Sequence, residues 1–140
     1  MPNKKEHSEA GALVGMVFAC CANVLEQAER ARMNPYYRFN VFELAVVGVL
    51  GNVVGRFAGQ LPDLLEPAYH PGHRDFFHSV GFSALAAVGV KKLYTNPRVS
   101  PVVKLVAKTA VAGYASHVLM DGGTPAGVPM ITRRRALSNC

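Results

Sequence analysis

The sequence predicts an all-α fold, an antiparallel four-helix bundle with a cluster of histidines and aspartates at one end. Four apolar segments separated by proline-containing or polar breaks predict the helices, and no stretch shows strand alternation. Short connections predict that neighbours in the chain run antiparallel. The cluster follows from position: His7, Asp63, His73, His78, His117 and Asp121 each stand at or beside the start or end of a segment. In an up-down bundle those places share one end.

The first segment runs from about Ser8 to Arg32, with Ser8 as its expected N-cap and Glu26 and Arg30 as an i,i+4 pair before Asn34-Pro35. The second runs from about Val41 to Gln60 and carries Gly51, Gly55 and Gly59 on one helix face, a spacing that lets another backbone approach closely. Leu61-Pro62-Asp63 is expected to close it. An irregular loop from Leu64 to Asp75 holds His70 and His73. The third segment, about Phe76 to Tyr94, ends near Lys91-Lys92, which suit a helix C-terminus. The fourth, about Val102 to Met120, follows Pro97 and Pro101 and stops at Gly122-Gly123. Residues 1–130 are expected to form one domain and residues 131–140 a basic tail with Arg133, Arg134 and Arg135.

Composition narrows the function. Half of the 140 residues are hydrophobic and 17% are charged, with a formal net charge of +6. The mean hydropathy is +0.16. Cys20 and Cys21 lie side by side in an apolar run and Cys140 is terminal, so reduced thiols are expected and a disulfide framework is excluded. The lack of a Cys-x-x-Cys pair excludes a thiolate zinc site, so a metal would be held by nitrogen and oxygen donors. Glu6 and Glu9 interrupt the basic start, and no small-residue cleavage site follows the apolar run, so the N-terminus is read as retained. No segment offers about 20 uninterrupted apolar residues: Glu43 and Arg56 intrude on the second and Lys104 and Lys108 on the fourth. Either the helices are short spans with snorkelling ends, or the chain is a very apolar bundle that oligomerises or lies on the membrane surface. Arg30, Arg32, Arg38, Lys91, Lys92 and Arg98 collect at the end opposite the histidines.

His117 and Asp121 are four apart and share a helix face, so an imidazole nitrogen and a carboxylate oxygen can reach one cation. Lys108 falls on the opposite face from His117. The motifs Leu61-Pro62-Asp63, His73-Arg74-Asp75-Phe76-Phe77-His78-Ser79 and Ser116-His117 through Asp121 occur in that order after an early histidine, His7. This order resembles the YdjM-type membrane-bound metal-dependent hydrolases, in which an early histidine precedes Pro-Asp, His-Arg-x-x-x-His-Ser and Ser-His-x-x-x-Asp. The resemblance covers about residues 7 to 130. It implies a divalent metal, zinc first with manganese or iron as alternatives, as one or two ions. The implied ligands are His7, Asp63, His78, His117 and Asp121, with His73 a ligand or catalytic group beside them. Arg74 is expected to bind a substrate anion or stabilise transition-state charge, and Ser79 and Ser116 to orient their neighbouring histidines.

Three functions are weighed on these residues. The first is a metal-dependent hydrolase of phosphoester or lipid substrates at a bacterial inner membrane. The second is a non-enzymatic helical membrane or scaffold protein with a structural metal. The third, nucleic-acid binding through the arginine tail, has three adjacent arginines without interleaved aromatics behind it. Membrane lipid is the expected partner, with a homo-oligomer as a further expectation.

Overall fold

The computed structural model describes residues 4–67, 75–124 and 127–131. Among them the protein is all-α, without strands: α1 (Lys4–Met33), α2 (Val41–Ala58), a short α3 (Leu61–Leu65), α4 (Val80–Thr95) and α5 (Pro101–Gly122). The four long helices answer to the four apolar segments. Their starts differ where local chemistry decides them. α1 is already helical at Lys4, the first described residue. Ser8 therefore lies inside the helix and accepts a hydrogen bond from Gln60 Nε2 at 2.8 Å instead of capping. Asn40, Ser79 and Ser100 do cap, each accepting a backbone N–H three residues on, from Glu43, Phe82 and Val103. Leu61-Pro62-Asp63 opens a helix instead of closing one. α2 stops at Gly59, and Pro62, which lacks an N–H, sits in the first turn of α3.

α1 packs on α2 and α5, α2 packs on α5, and α3 and α4 pack on α5. Side-chain neighbours give the directions. His7 lies by Gly59 and Ala19 by Gly51, so α1 and α2 run in opposite senses. Gly113 lies on Gly55 and His117 on Gly59, so α2 and α5 run alike. Phe82 meets Tyr114 while Tyr94 meets Lys104 and Lys108, so α4 opposes α5. The expected close approach at Gly51, Gly55 and Gly59 is present, and it is answered by Gly11 and Gly15 on α1 and by Gly113 on α5. A Cβ added at Gly113 would stand 2.8 Å from the Cα and the carbonyl oxygen of Gly55. Three backbones thus meet where side chains are absent.

Burial is inverted relative to a water-soluble core. The buried hydrophobic residues are Ala12, Ala19, Ala58, Tyr114 and Val118, whereas Asn23, Gln27, His7, His78, His117, Thr109 and Asp121 are buried polar groups. Large apolar side chains point outward, among them Leu25, Phe42, Val49, Phe57 and Leu119. Such an exterior suits lipid, where apolar surface is no liability and helix contacts are made by small and polar residues. Three helical segments, Lys4–Met33, Val41–Leu65 and Pro101–Gly122, are long and apolar enough to cross a membrane. Of the charges expected to interrupt them, Glu43 is accommodated. Glu43, in the first turn of α2, takes Arg30 of α1 at 3.0 Å, and the Glu26–Arg30 pair forms at 2.6 Å. Behind them Gln27, fully buried, donates to Asn23 Oδ1 and Asn40 O and accepts from Tyr37 Oη and Asn40 N, which locks the α1–α2 connection.

Substitution should separate the packing glycines from the others. Gly113→Ala is expected to lower unfolding stability in detergent by about 1–3 kcal/mol through overpacking against backbone. Gly89→Ala on α4, where an added Cβ meets nothing within 4 Å, should leave stability unchanged or raise it by up to about 1 kcal/mol. Equal effects at the two sites would remove the close approach as the organising contact.

Candidate metal centre

Four elements bring five donor side chains together. His7 projects from the first turns of α1, Asp63 from α3, His78 from the turn before α4, and His117 and Asp121 from the last turns of α5. His78 and His117 are fully buried, Asp121 is 1% exposed and His7 3%. The turn that carries His78 is fixed on both sides. Tyr114 Oη of α5 donates to the Phe77 carbonyl, and Phe76, Phe77 and Phe82 stack edge to face at 5.0–5.3 Å between centroids. Ser79 caps α4 immediately after it, and Val80 N and Gly81 N donate to Pro129 O and Met130 O.

The distances are those of groups arranged around a cation. His78 Nε2 lies 3.3 Å from Asp63 Oδ1, and His117 Nε2 lies 3.6 Å from the same oxygen and 3.4 Å from Asp121 Oδ2. His7 Nε2 is 3.5 Å from Asp121 Oδ1, and its ring stacks on His117 with centroids 3.7 Å apart. Bonds of about 2.1 Å to a tetrahedral ion place neighbouring donors about 3.4 Å apart. Two triplets, His7–Asp63–His117 and His78–His117–Asp121, each keep their donor atoms within 4.8 Å of one another and share His117.

The protonation of His117 is set by its second contact. Nδ1 lies 2.7 Å from the Gly59 carbonyl, which can only accept, so Nδ1 carries the hydrogen. In the neutral ring, Nε2 then presents a lone pair toward two carboxylate oxygens. It is buried and has no hydrogen-bond partner among the described residues. An orphaned lone pair facing negative oxygens is costly unless a proton or a metal ion lies between them. The donor set therefore fits a divalent cation by spacing and by chemistry, and a backbone carbonyl holding the far nitrogen is the usual support of a histidine ligand.

Glu66, at the C-cap of α3, joins the site although it stands in the stretch expected to be irregular loop. Its Oε2 lies 2.9 Å from His78 Nδ1 and accepts from Asp75 N, while Oε1 accepts from Phe77 N. A donor Nδ1–H leaves His78 Nε2 aimed at the carboxylates. Burial alone would push the Glu66 carboxyl up, but the His78 bond and the two backbone N–H groups outweigh it and hold the pKa below the usual range. Burial likewise disfavours charged His78, yet the bonds to Asp63 and Glu66 prevail and raise its pKa above that of a solvated histidine. The signal available in the sequence was the spacing Asp63-x-x-Glu66, which a short helix turns to one side.

Other expected site residues fall differently. His73, Arg74 and His70 lie outside the described residues. Among the described residues Ser79 and Ser116 are not hydrogen-bonded to their neighbouring histidines; Ser79 caps α4 and Ser116 Oγ donates to the Gly113 carbonyl. Both hydroxyls are thus spent on helix backbone.

Two outcomes follow from this geometry. Glu66→Gln should weaken metal affinity by roughly 10–100-fold while the helices stay folded, read by competition with a chelating dye. A cation must also displace the proton that His78 holds, so affinity should fall on acidification from above the ordinary histidine range. In the metal-free protein the signs separate. The His78 contribution to stability is full below the ordinary histidine pKa and is lost as pH rises through its raised value. The Glu66 contribution is present above the ordinary carboxylate pKa and is lost as pH falls through its lowered one. A metal-free stability profile without a mildly acidic maximum would contradict this pairing.

Among known proteins, a family model described as YdjM inner membrane protein matches residues 1–132. No curated protein matches, and no solved structure does. With nearly its whole length matched, and with three helices able to span a bilayer, the chain belongs to the YdjM inner membrane protein family and is a membrane protein.

Proposed function

We propose that this protein is a metal-dependent hydrolase of phosphoester or lipid substrates at the membrane, with its site at one end of an antiparallel helical bundle. His7, Asp63, His78, His117 and Asp121 are the proposed ligands, and zinc the preferred ion for this set of imidazoles and carboxylates. The observation that carries the reading is the orphaned, buried Nε2 of His117 facing Asp63 and Asp121. A divalent cation bound there supplies Lewis acidity and makes water a nucleophile at neutral pH. The chain's own groups do the rest. Gly59 and Glu66 hold the two imidazoles in one tautomer, and the close helix packing keeps bulk water from the inner donors. Asp63 is the ligand open to an incoming substrate, with its side chain 18% exposed against 0–1% for His78, His117 and Asp121. Arg74 is proposed to bind the substrate anion and His73 to move a proton or complete the ligand set.

One observation favours a second reading, a structural metal in a non-enzymatic protein: four of the five donors are buried to 3% exposure or less, as in a closed site. Activity separates the two. Full-length protein purified with metal should hold at least about one equivalent, and His117→Ala should lose it. Under the hydrolase reading, phospholipid or a generic phosphodiester is turned over, and Arg74→Gln cuts the rate by roughly 100-fold without changing metal content. Tight metal with no turnover, and unfolding on chelation, would establish the structural role. Less than about a tenth of an equivalent of metal would end both readings.

A further inference from the structure

The end of the molecule away from the histidines contains a second feature. A cleft of about 790 Å³ opens between α1, the end of α4 and the start of α5. Phe18, Leu25 and Leu105 give it an apolar wall, and Lys104 and Lys108 line its α5 side. Both lysines are half-buried in a helix long and apolar enough to cross the membrane. Their ammonium groups gather over one ring, with Lys108 Nζ 3.5 Å and Lys104 Nζ 5.6 Å from the Tyr94 centroid. Among the described residues neither has a carboxylate partner. The acids that line the cleft, Glu26 and Glu29, are engaged by Arg30 at 2.6 Å and Arg32 at 2.9 Å on their own helix. Two positive charges therefore remain without a counter-charge, beside the positive end of the α5 dipole and next to an acyl-sized apolar wall.

We infer that this cleft binds an anionic phospholipid, its phosphate-bearing headgroup held by Lys104 and Lys108 and an acyl chain laid along Phe18, Leu25 and Leu105. A free phosphate satisfies the lysines alone. The apolar wall and the position at the end of a membrane-crossing helix favour the lipid. Lys104 and His117 are separated by roughly 20 Å along α5, so the lipid site belongs to the opposite face of the bilayer from the metal centre and is independent of the chemistry there.

Full-length protein released from detergent micelles in native mass spectrometry tests the assignment, with palmitoyl-oleoyl phosphatidylglycerol and phosphatidylcholine as probes. Wild type should retain phosphatidylglycerol with roughly tenfold or greater preference. Lys104→Gln/Lys108→Gln should abolish the preference, and Tyr94→Leu, which removes the ring that gathers the ammonium groups, should reduce it. Lys91→Gln/Lys92→Gln, exposed on α4 outside the cleft, should keep it. Metal content measured on each variant reports an intact fold at the far end. Equal retention of the two lipids would mean that the lysines merely extend toward the interface and would overturn the inference. So would a preference that survives the double substitution. Displacement of phosphatidylglycerol by equimolar inorganic phosphate would also overturn it, by assigning the cleft to the free anion.

Discussion

The contact on which the molecule depends is the meeting of three backbones at Gly11, Gly15, Gly55 and Gly113. In lipid the hydrophobic effect does not press helices together, so close van der Waals approach and interhelical hydrogen bonds must. Small residues allow that approach, and it sets the register of α1, α2 and α5 to within a residue. The histidine–aspartate end inherits this register. His117 reaches the Gly59 carbonyl because α2 and α5 touch one turn earlier, at Gly55 and Gly113. His7 stacks on His117 because α1 closes on the same glycines. Packing and site are one arrangement seen at two heights along the helices.

The polar interior extends the same economy. Gln27, Asn23 and Asn40 bond one another and Glu43 at the α1–α2 connection, whereas the histidine–aspartate end leaves a buried imidazole nitrogen without a partner among the described residues. A buried lone pair facing carboxylate oxygens suits a cation at that second point. The contrast between the two ends argues for a ligand more strongly than the count of histidines does.

Much of this was legible in the sequence, for identifiable reasons. The four long helices follow from apolar segments cut by Pro35, Pro97 and Pro101, and the ladder at Gly51, Gly55 and Gly59 is a local periodicity. His117 and Asp121 declare themselves by i,i+4 spacing. What stayed hidden was settled between segments. Gly11, Gly15 and Gly113 acquire meaning only opposite the α2 glycines. Glu66 reads as a loop carboxylate until α3 turns it under His78. Within the sequence Glu43 interrupts an apolar window, yet Arg30 on another helix neutralises it, and that window does not contain the partner.

The donors are also spread along the chain as widely as the fold permits, with His7 in the first described helix and Asp121 in the last. During synthesis α1 and α2 are free to pair long before α5 exists, but the pocket for an ion is incomplete until α5 has entered between them. On the proposed reading, metal loading comes after membrane insertion, and a bound ion would tie the first described helix to the last, a seal on finished assembly.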